Sequence, residues 1–275
     1  MTADRESEAV LTVLGSGTLI PDATRHSASH HLDSGSASVL LDCGPGTVHG
    51  LADQGIAWSD LTHIAVTHYH CDHVGDLSPL LFALKHGVEP ARTRPLKLLG
   101  PPGFAAFLGR VSAALGDHVL EPGFVVEVVE VHPGSVYRDG ALTFSCVSTP
   151  HTEESIAYRL EGPWGAIGYT GDTGPSDDVA AFLSGCEVVV SECALTDPPS
   201  MRFHLSPEGL AGLASVATPD LLIVTHVYPD QSPDEAVRGV ERRYEGRVCA
   251  GRDGMRVRVR PSSVTVDPPG RPVYT

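Results

Sequence analysis

The segment from Thr67 to Asp76 constrains the fold of this chain more than any other feature of its sequence. It contains a dense H-x-H-x-D-H pattern, formed by His68, His70, Asp72 and His73. An apolar run from Leu61 to Thr67 predicts a strand before it, and leucines at 77, 80, 81 and 84 predict a helix after it. We therefore predict an exposed metal-binding loop on a rigid scaffold. Its imidazole and carboxylate ligands suit zinc or a similar divalent ion.

The length and composition are those of an ordinary globular protein. The 275 residues suffice to bury a core, and hydrophobic residues make up 41% of the chain. No apolar run approaches the roughly 20 residues that span a bilayer, and the N-terminus MTADRESEAV lacks the basic and apolar regions of a signal peptide. Six cysteines without a C-x-x-C pair indicate reduced thiols. We expect a cytoplasmic protein without membrane contact, and the sequence also allows a homodimer.

The net charge of −15 limits the partners of this chain. An acidic protein does not attract phosphate polymers through its overall field. Large nucleic acids are therefore disfavoured as substrates unless metal ions or a local basic patch supply positive charge. Arg256, Arg258 and Arg260 share one face of the predicted last strand, Met255–Arg260, and could contact phosphate. The alternative, which we favour, is a charged face that guards an edge strand.

Several titratable residues directly follow predicted apolar strands. They are His68, His151, Asp172, Glu192 and His226. In layered α/β proteins the strand ends converge on the ligand crevice, so we expect these side chains to meet at one site. No linker-like or low-complexity segment divides the chain. The sequence therefore predicts a single α/β domain over residues 1–275, with two sheets packed face to face and helices outside.

Some residues near these motifs allow two interpretations. Asp42 follows a predicted strand, and it either orients a metal-bound histidine or caps the helix predicted for residues 47–54. We assign Cys71 to packing or to support of the ligands, not to ligation. The polar segment Arg25–His31 is predicted to be a surface loop beside the site, and Gly15–Thr18 is predicted to be a structural glycine turn.

Motifs spread over most of the chain resemble, in order, those of the metallo-β-lactamase superfamily. They are Gly15–Thr18, Asp42–Gly44, the H-x-H-x-D-H segment, His151, Gly171–Thr173 and Thr225–His226. Within the superfamily, Ser191–Ala194 and His204 make the chain similar to the ribonuclease Z group. The resemblance implies the metallo-β-lactamase αββα sandwich, with two mixed β-sheets packed face to face and helices outside.

The resemblance also implies two metal ions and a role for each site residue. The first ion would be held by His68, His70 and His151, the second by Asp72, His73 and His226, and both by a bridging Asp172. The pair Glu192 and His204 would donate a proton to the leaving oxygen, and Asp72 would position the nucleophile. The alternative for His204 is a cap for the helix that follows it.

Elementary chemistry supports a two-metal site independently. A carboxylate can bridge two cations, and a hydroxide between them is a nucleophile at neutral pH because the ions lower its pKa. A structural zinc site is closed and needs only four ligands, whereas this sequence offers seven candidates. We expect two divalent ions, Zn²⁺ by preference, with Mn²⁺ as the alternative.

One interval departs from the ribonuclease Z pattern. Only 20 residues lie between His151 and Asp172. Bacterial members of that group usually carry a long basic and Gly-rich arm in this interval, which grips tRNA. We predict only a β-hairpin for residues 152–171, and this argues against tRNA processing.

The sequence therefore predicts a dinuclear metal-dependent hydrolase. The favoured activity is that of a phosphodiesterase, which attacks small, cyclic or RNA-end phosphodiesters with a hydroxide that bridges the two ions. The alternative is a carboxylic ester, thioester or lactone hydrolase of the same fold. A non-catalytic member of the superfamily is disfavoured, because the set of candidate ligands is complete.

Overall fold

The computed structural model describes residues 7–267 as two mixed β-sheets packed face to face. The strands in chain order are β1 (Ala9–Gly15), β2 (Ser29–Asp33), β3 (Ser38–Leu41), β4 (His63–Ala65), β5 (Leu96–Gly100), β6 (Val126–Glu130), β7 (Val136–Asp139), β8 (Leu142–Ser148), β9 (Ile156–Gly162), β10 (Gly165–Tyr169), β11 (Val188–Glu192), β12 (Leu221–Thr225), β13 (Val248–Ala250), β14 (Arg256–Arg260) and β15 (Ser263–Asp267). The first sheet has eight strands in the order β15-β14-β1-β2-β3-β4-β5-β6, and the second has seven in the order β13-β12-β11-β10-β9-β8-β7. Residues 1–6, which begin the segment without signal-peptide features, lie outside the described residues.

Helices cover the outer face of each sheet. In chain order they are α1 (Thr47–Asp53), α2 (Cys71–Val74), α3 (Leu77–His86), α4 (Phe104–Leu115), α5 (Asp177–Phe182), α6 (Pro207–Ala217) and α7 (Pro233–Glu241). Ser206 caps α6, as its sequence predicts, by accepting a hydrogen bond from the Gly209 N–H. Among the described residues, none of these helices has the length and apolar character that a membrane crossing requires.

The core lies in three apolar layers, which account for the αββα order. Between the sheets, side chains from both inner faces interdigitate, including Leu11, Leu32, Phe144, Tyr158, Val190 and Ile223. Under α3 and α4, the outer face of the first sheet is covered by Leu80, Leu81, Phe104 and Leu108. Under α5, α6 and α7, the outer face of the second sheet is covered by Val179, Leu210, Leu213 and Val240. The predicted fold class is confirmed.

Parallel pairing brings the ends of several strands to the same edge of the sandwich. In the first sheet β3, β4 and β5 run parallel, and in the second sheet β10, β11 and β12 run parallel. Each of these strands is short, so the polar residues at or just after its carboxyl end emerge at this edge. This edge carries the candidate site.

The prediction of a surface loop for Arg25–His31 holds for residues 25–27, which are partly exposed and outside any strand or helix, and is wrong for residues 29–31. Residues 29–33 form β2, which pairs with β1 and β3, and both His30 and His31 are buried. His30 packs edge-on against Tyr169, with ring centroids 5.0 Å apart, and the His31 Nε2 lies 2.8 Å from the Ser38 hydroxyl. Pairing on both sides satisfies the backbone of this polar segment, and this outweighs its weak strand pattern.

The three C-terminal arginines lie on a strand, but that strand is neither last nor at an edge. β14 pairs with β1 on one side and with β15 on the other. The Arg258 side chain donates to Asp267 at 2.9 Å and to Glu8 at 3.3 Å, Arg260 also pairs with Glu8, and Arg256 donates to the Gln54 carbonyl. These contacts contradict the prediction of an edge guard, and they neutralise two of the three charges that a phosphate patch would need.

Candidate metal centre

The H-x-H-x-D-H segment is only partly a loop. His68 is fully buried just after β4, and His70 is exposed and precedes α2. Asp72 and His73 lie on α2 itself, which corrects the prediction that all four residues lie on a loop. The His73 carbonyl accepts a hydrogen bond from the Cys43 N–H at 2.7 Å, so α2 is fastened to the loop that follows β3.

Four side chains form a first group of potential ligands. They are His68, His70, His151 and Asp172, each with one ligand atom within 4.8 Å of the others. The His151 Nε2 lies 3.0 Å from the His70 Nδ1 and 3.6 Å from the Asp172 Oδ2. Burial lowers the pKa of both His68 and His151. Both rings are therefore neutral at pH 7 and keep a lone pair for a metal.

A second group lies on the other side of Asp172 and consists of Asp72, His73 and His226. The His226 Nε2 lies 3.2 Å from the Asp72 Oδ2 and 3.5 Å from the Asp172 Oδ1. The His73 Nε2 lies 3.3 Å from the same Asp172 Oδ1. The two oxygens of Asp172 therefore face different groups, Oδ2 the first and Oδ1 the second.

The residues of both groups fit a divalent cation. Within residues 7–267, the His68 Nε2, the His73 Nε2 and the Asp172 Oδ1 are buried without a hydrogen-bond partner. Leaving such atoms unpaired costs about 1–3 kcal/mol each, and here they converge on one centre. Imidazole nitrogen and carboxylate oxygen are ligands that zinc and manganese accept. Burial opposes the charge of Asp172, but His226 and His73 hold its pKa well below the ordinary value.

Asp42 orients His73 and does not cap α1. Its Oδ2 accepts a hydrogen bond from the His73 Nδ1 at 2.7 Å, which directs the Nε2 to the centre. The same carboxylate accepts from the Thr67 N–H and the Tyr169 hydroxyl, both at 2.7 Å. The α1 N-terminus is held by Asp76 instead. The alternative that the sequence left open for Asp42 is thereby decided in favour of orientation.

Glu192 and His204 form a buried pair beside the centre. The His204 Nδ1 donates to the Glu192 Oε1 at 2.8 Å and lies 4.0 Å from the Asp172 Oδ2. Burial opposes protonation of His204, but the hydrogen bond to Glu192 outweighs it and raises the pKa of His204. Since Ser206 caps α6, the alternative role of His204 as a helix cap is wrong. His204, Asp172 and His226 also lie close enough together to form a third potential metal group.

Two further sequence expectations have different outcomes. Cys71 is exposed, which contradicts the packing alternative, and its support of the ligands stays a prediction. The short interval between His151 and Asp172 does form a β-hairpin, in which β9 and β10 pair antiparallel across Gly162 and Gly165. The structure describes all of residues 152–171, and this stretch contains no arm beyond the hairpin.

An αββα sandwich whose strand ends bring histidines and aspartates to one centre defines the hydrolases of the metallo-β-lactamase fold. A family model described as a beta-lactamase superfamily domain matches residues 37–227, and the chain belongs to this superfamily. A curated ribonuclease Z from Mycobacterium sp. (strain KMS) is 30% identical over 94% of this chain and 99% of the relative. The predicted resemblance to this group is confirmed.

Solved structures extend the similarity of fold. The metallo-β-lactamase fold protein YhfI from Bacillus subtilis has a TM-score of 0.79 at 21% identity and covers 95% of this chain and 100% of its own. The short form of human tRNase Z has a TM-score of 0.73 at 21% identity, with coverage of 90% and 98%. At these identities the structures support the shared fold.

Proposed function

We propose that this chain is a dinuclear metal-dependent phosphodiesterase. The observation that carries the proposal is the position of Asp172, whose two carboxylate oxygens face two separate groups of nitrogen and oxygen ligands. His68, His70 and His151 would hold one ion, Asp72, His73 and His226 would hold the other, and Asp172 would be shared by both. Zn²⁺ is the preferred ion and Mn²⁺ the alternative. When bound, the pair supplies Lewis-acid stabilisation and lowers the pKa of water.

The remaining site residues handle protons. His204 is the proposed general acid, because its ring borders the centre and the carboxylate of Glu192 favours its protonated form. Glu192 is itself fixed by hydrogen bonds from the backbone N–H groups of Thr173 and Leu205. Asp72 belongs to the other ligand group, with its Oδ2 3.2 Å from the His226 Nε2, and is the residue proposed to orient the attacking water.

The need for an acid favours a phosphodiester over a carboxylic ester. The alkoxide that leaves a phosphodiester is a strong base, and protonating it in the transition state lowers the barrier. Hydrolysis of a thioester or a lactone depends less on a general acid that protonates the leaving group. The name ribonuclease Z carried by the relatives further supports an RNA end as one substrate.

A cavity lined by a sequence neighbour of two candidate ligands favours a small or short substrate. A cavity of about 470 Å³ lies beside Tyr69, the residue between two candidate ligands, and its lining includes Arg110, Glu153 and Glu154. Two carboxylates against one guanidinium disfavour an extended polyanion at this position. A cavity of this size admits a nucleobase or a sugar.

Purified protein is expected to contain close to two divalent ions per chain. Two ligand groups on either side of the Asp172 carboxylate motivate this number. Elemental analysis after growth in metal-replete medium gives the measurement. An activity screen with bis-p-nitrophenyl phosphate, a p-nitrophenyl ester and an acyl thioester, each with Zn²⁺ and with Mn²⁺, should favour the phosphodiester. A stable metal content of zero would rule out the proposed mechanism.

Full-length precursor tRNA is expected to bind only weakly. The net charge of −15 and the short β9–β10 hairpin leave no basic arm in the described part of the chain. At physiological salt we expect a Kd in the non-specific range of about 10⁻⁴–10⁻⁶ M, with steep weakening as salt rises. Filter binding with a short RNA end as the comparison measures this. Tight binding of the whole precursor would instead require a basic surface elsewhere and would restore tRNA processing as the function.

A further inference from the structure

The carboxylate of Asp253 holds the loop that follows β1. Its Oδ1 accepts hydrogen bonds from the Ser16 N–H at 2.9 Å and from the Ser16 hydroxyl at 2.7 Å. Its Oδ2 accepts the His26 N–H at 2.7 Å, and the Gly17 N–H closes the loop onto the His26 carbonyl at 2.7 Å. One carboxylate from the C-terminal part of the chain therefore fixes both ends of the segment 16–26.

This loop in turn holds the backbone of His226. The Ser16 carbonyl accepts the His226 N–H at 2.9 Å. His226 has a φ of 52°, a left-handed conformation that residues other than glycine adopt only when their surroundings enforce it. The hydrogen bond to Ser16 thus restrains the backbone of His226. The Nε2 of the same residue lies 3.2 Å from the Asp72 Oδ2.

The contact surfaces around Asp253 are tight. A Cβ at Gly15 would lie 1.8 Å from the Ser27 carbonyl oxygen, and a Cβ at Gly251 would lie 2.5 Å from the Thr225 side chain. The Gly251 N–H also donates to the Val224 carbonyl at 2.8 Å. A shift of the segment around Asp253 would therefore also move the carboxyl end of β12, which His226 directly follows.

We infer that Asp253 is a positioning residue, which holds Ser16 and thereby the backbone of His226, and so sets the affinity of the ion bound by Asp72, His73 and His226. The inference rests on the proposed ligand role of His226. It also gives a function to the Gly15–Thr18 motif, which the sequence identified only as a structural turn. Partners that orient metal ligands from outside typically change metal affinity about 10–100-fold when they are lost.

The chain segment itself has other attachments. The Gly254 N–H donates to the Val13 carbonyl at 2.8 Å, and the Val13 N–H donates to the Met255 carbonyl at 2.9 Å. These backbone hydrogen bonds keep the segment on β1 without the Asp253 side chain. We therefore expect Asp253→Asn to fold, although its amide group cannot accept hydrogen bonds on both sides.

The test is a zinc titration against a chromophoric chelator with wild type, Asp253→Asn and the control Glu187→Gln. Glu187 likewise accepts a backbone N–H, that of Ala166, but it precedes β11 at the end opposite the centre. We expect wild type and Glu187→Gln to bind two ions alike. Asp253→Asn should bind one ion with wild-type affinity and the other about 10–100-fold more weakly.

Equal weakening of both ions, or no weakening, in Asp253→Asn would overturn the positioning role. If this variant fails to fold, Ser16→Ala replaces it, since it removes one donor to Asp253 and keeps the Ser16 carbonyl. A selective loss of less than about tenfold at one ion is then expected, and unchanged affinity for both ions overturns the inference. A wild-type protein that binds no zinc would refute the proposed function itself, separately from the role of Asp253.

Discussion

Asp172→Asn is expected to reduce kcat/KM for bis-p-nitrophenyl phosphate by roughly 10³-fold or more, since the loss of one preorganised electrostatic group alone costs about 10²–10³-fold. Asp172 is fully within the centre, with its Oδ2 3.6 Å from the His151 Nε2 and its Oδ1 3.3 Å from the His73 Nε2. The amide removes the negative charge between the two groups and turns a donor toward one of them. Metal content, measured by elemental analysis, should fall together with activity.

Asp33→Asn is a matched control for this loss of charge. Asp33 pairs with Ser38, the first residue of β3. It therefore lies at the end of the strands opposite the centre. The control should keep its metal and its activity. Retention of two ions and of full activity in Asp172→Asn would mean that Asp172 does not bridge the groups, and the two-metal proposal would lose its main support.

His204→Ala is expected to slow a natural phosphodiester about 10²–10⁴-fold, which is the usual contribution of a general acid. Hydrolysis of an activated p-nitrophenyl phosphodiester should change far less, because p-nitrophenolate leaves without protonation. Glu192→Gln should show the same asymmetry more weakly, since Glu192 only supports the protonated ring through its 2.8 Å contact with the His204 Nδ1. Steady-state kinetics with both substrates measure the ratio.

Metal content separates the three possible roles of His204. Both variants should keep the wild-type content, because neither residue is a proposed ligand. Loss of an ion in His204→Ala would instead make His204 a ligand, as its closeness to Asp172 and His226 also allows. Equal slowing of both substrates would assign His204 a structural role and would reopen the carboxylic ester alternative.

Sequence reasoning succeeded where local pattern and tertiary environment agree. The apolar run Leu221–Thr225 predicts a strand and the segment Phe104–Leu115, flanked by glycines, predicts a helix, and both have the observed bounds. β2 was missed because Ser29, His30 and His31 are polar, and only their neighbours in the folded sheet bury them. β7 and β15 were missed because their half-exposed faces carry no continuous apolar run. The single domain, the homodimer and the cytoplasmic location stay predictions.

The candidate site was predictable to the extent that strand ends converge. All seven candidate ligands come together, since each follows a strand or lies within a few residues of one. The supporting residues were harder to find. Asp42 had two equal interpretations until its hydrogen bond to His73 was known, and Ser16 and Asp253 are 237 positions apart in the chain. A contact over that distance leaves no local pattern in a single sequence.

The candidate ligands are divided between the two sheets. His68, His70, Asp72 and His73 follow β4 of the first sheet, whereas His151, Asp172 and His226 follow strands of the second. Neither sheet alone supplies all the candidate ligands. Bound ions would therefore link the two sheets. Loading to 100 times the dissociation constant would then add about 2.7 kcal/mol to the free energy of unfolding. A protein that is more stable with metal would also persist longer in a cell. Its lifetime would accordingly depend on the local concentration of metal, whether or not any substrate is present.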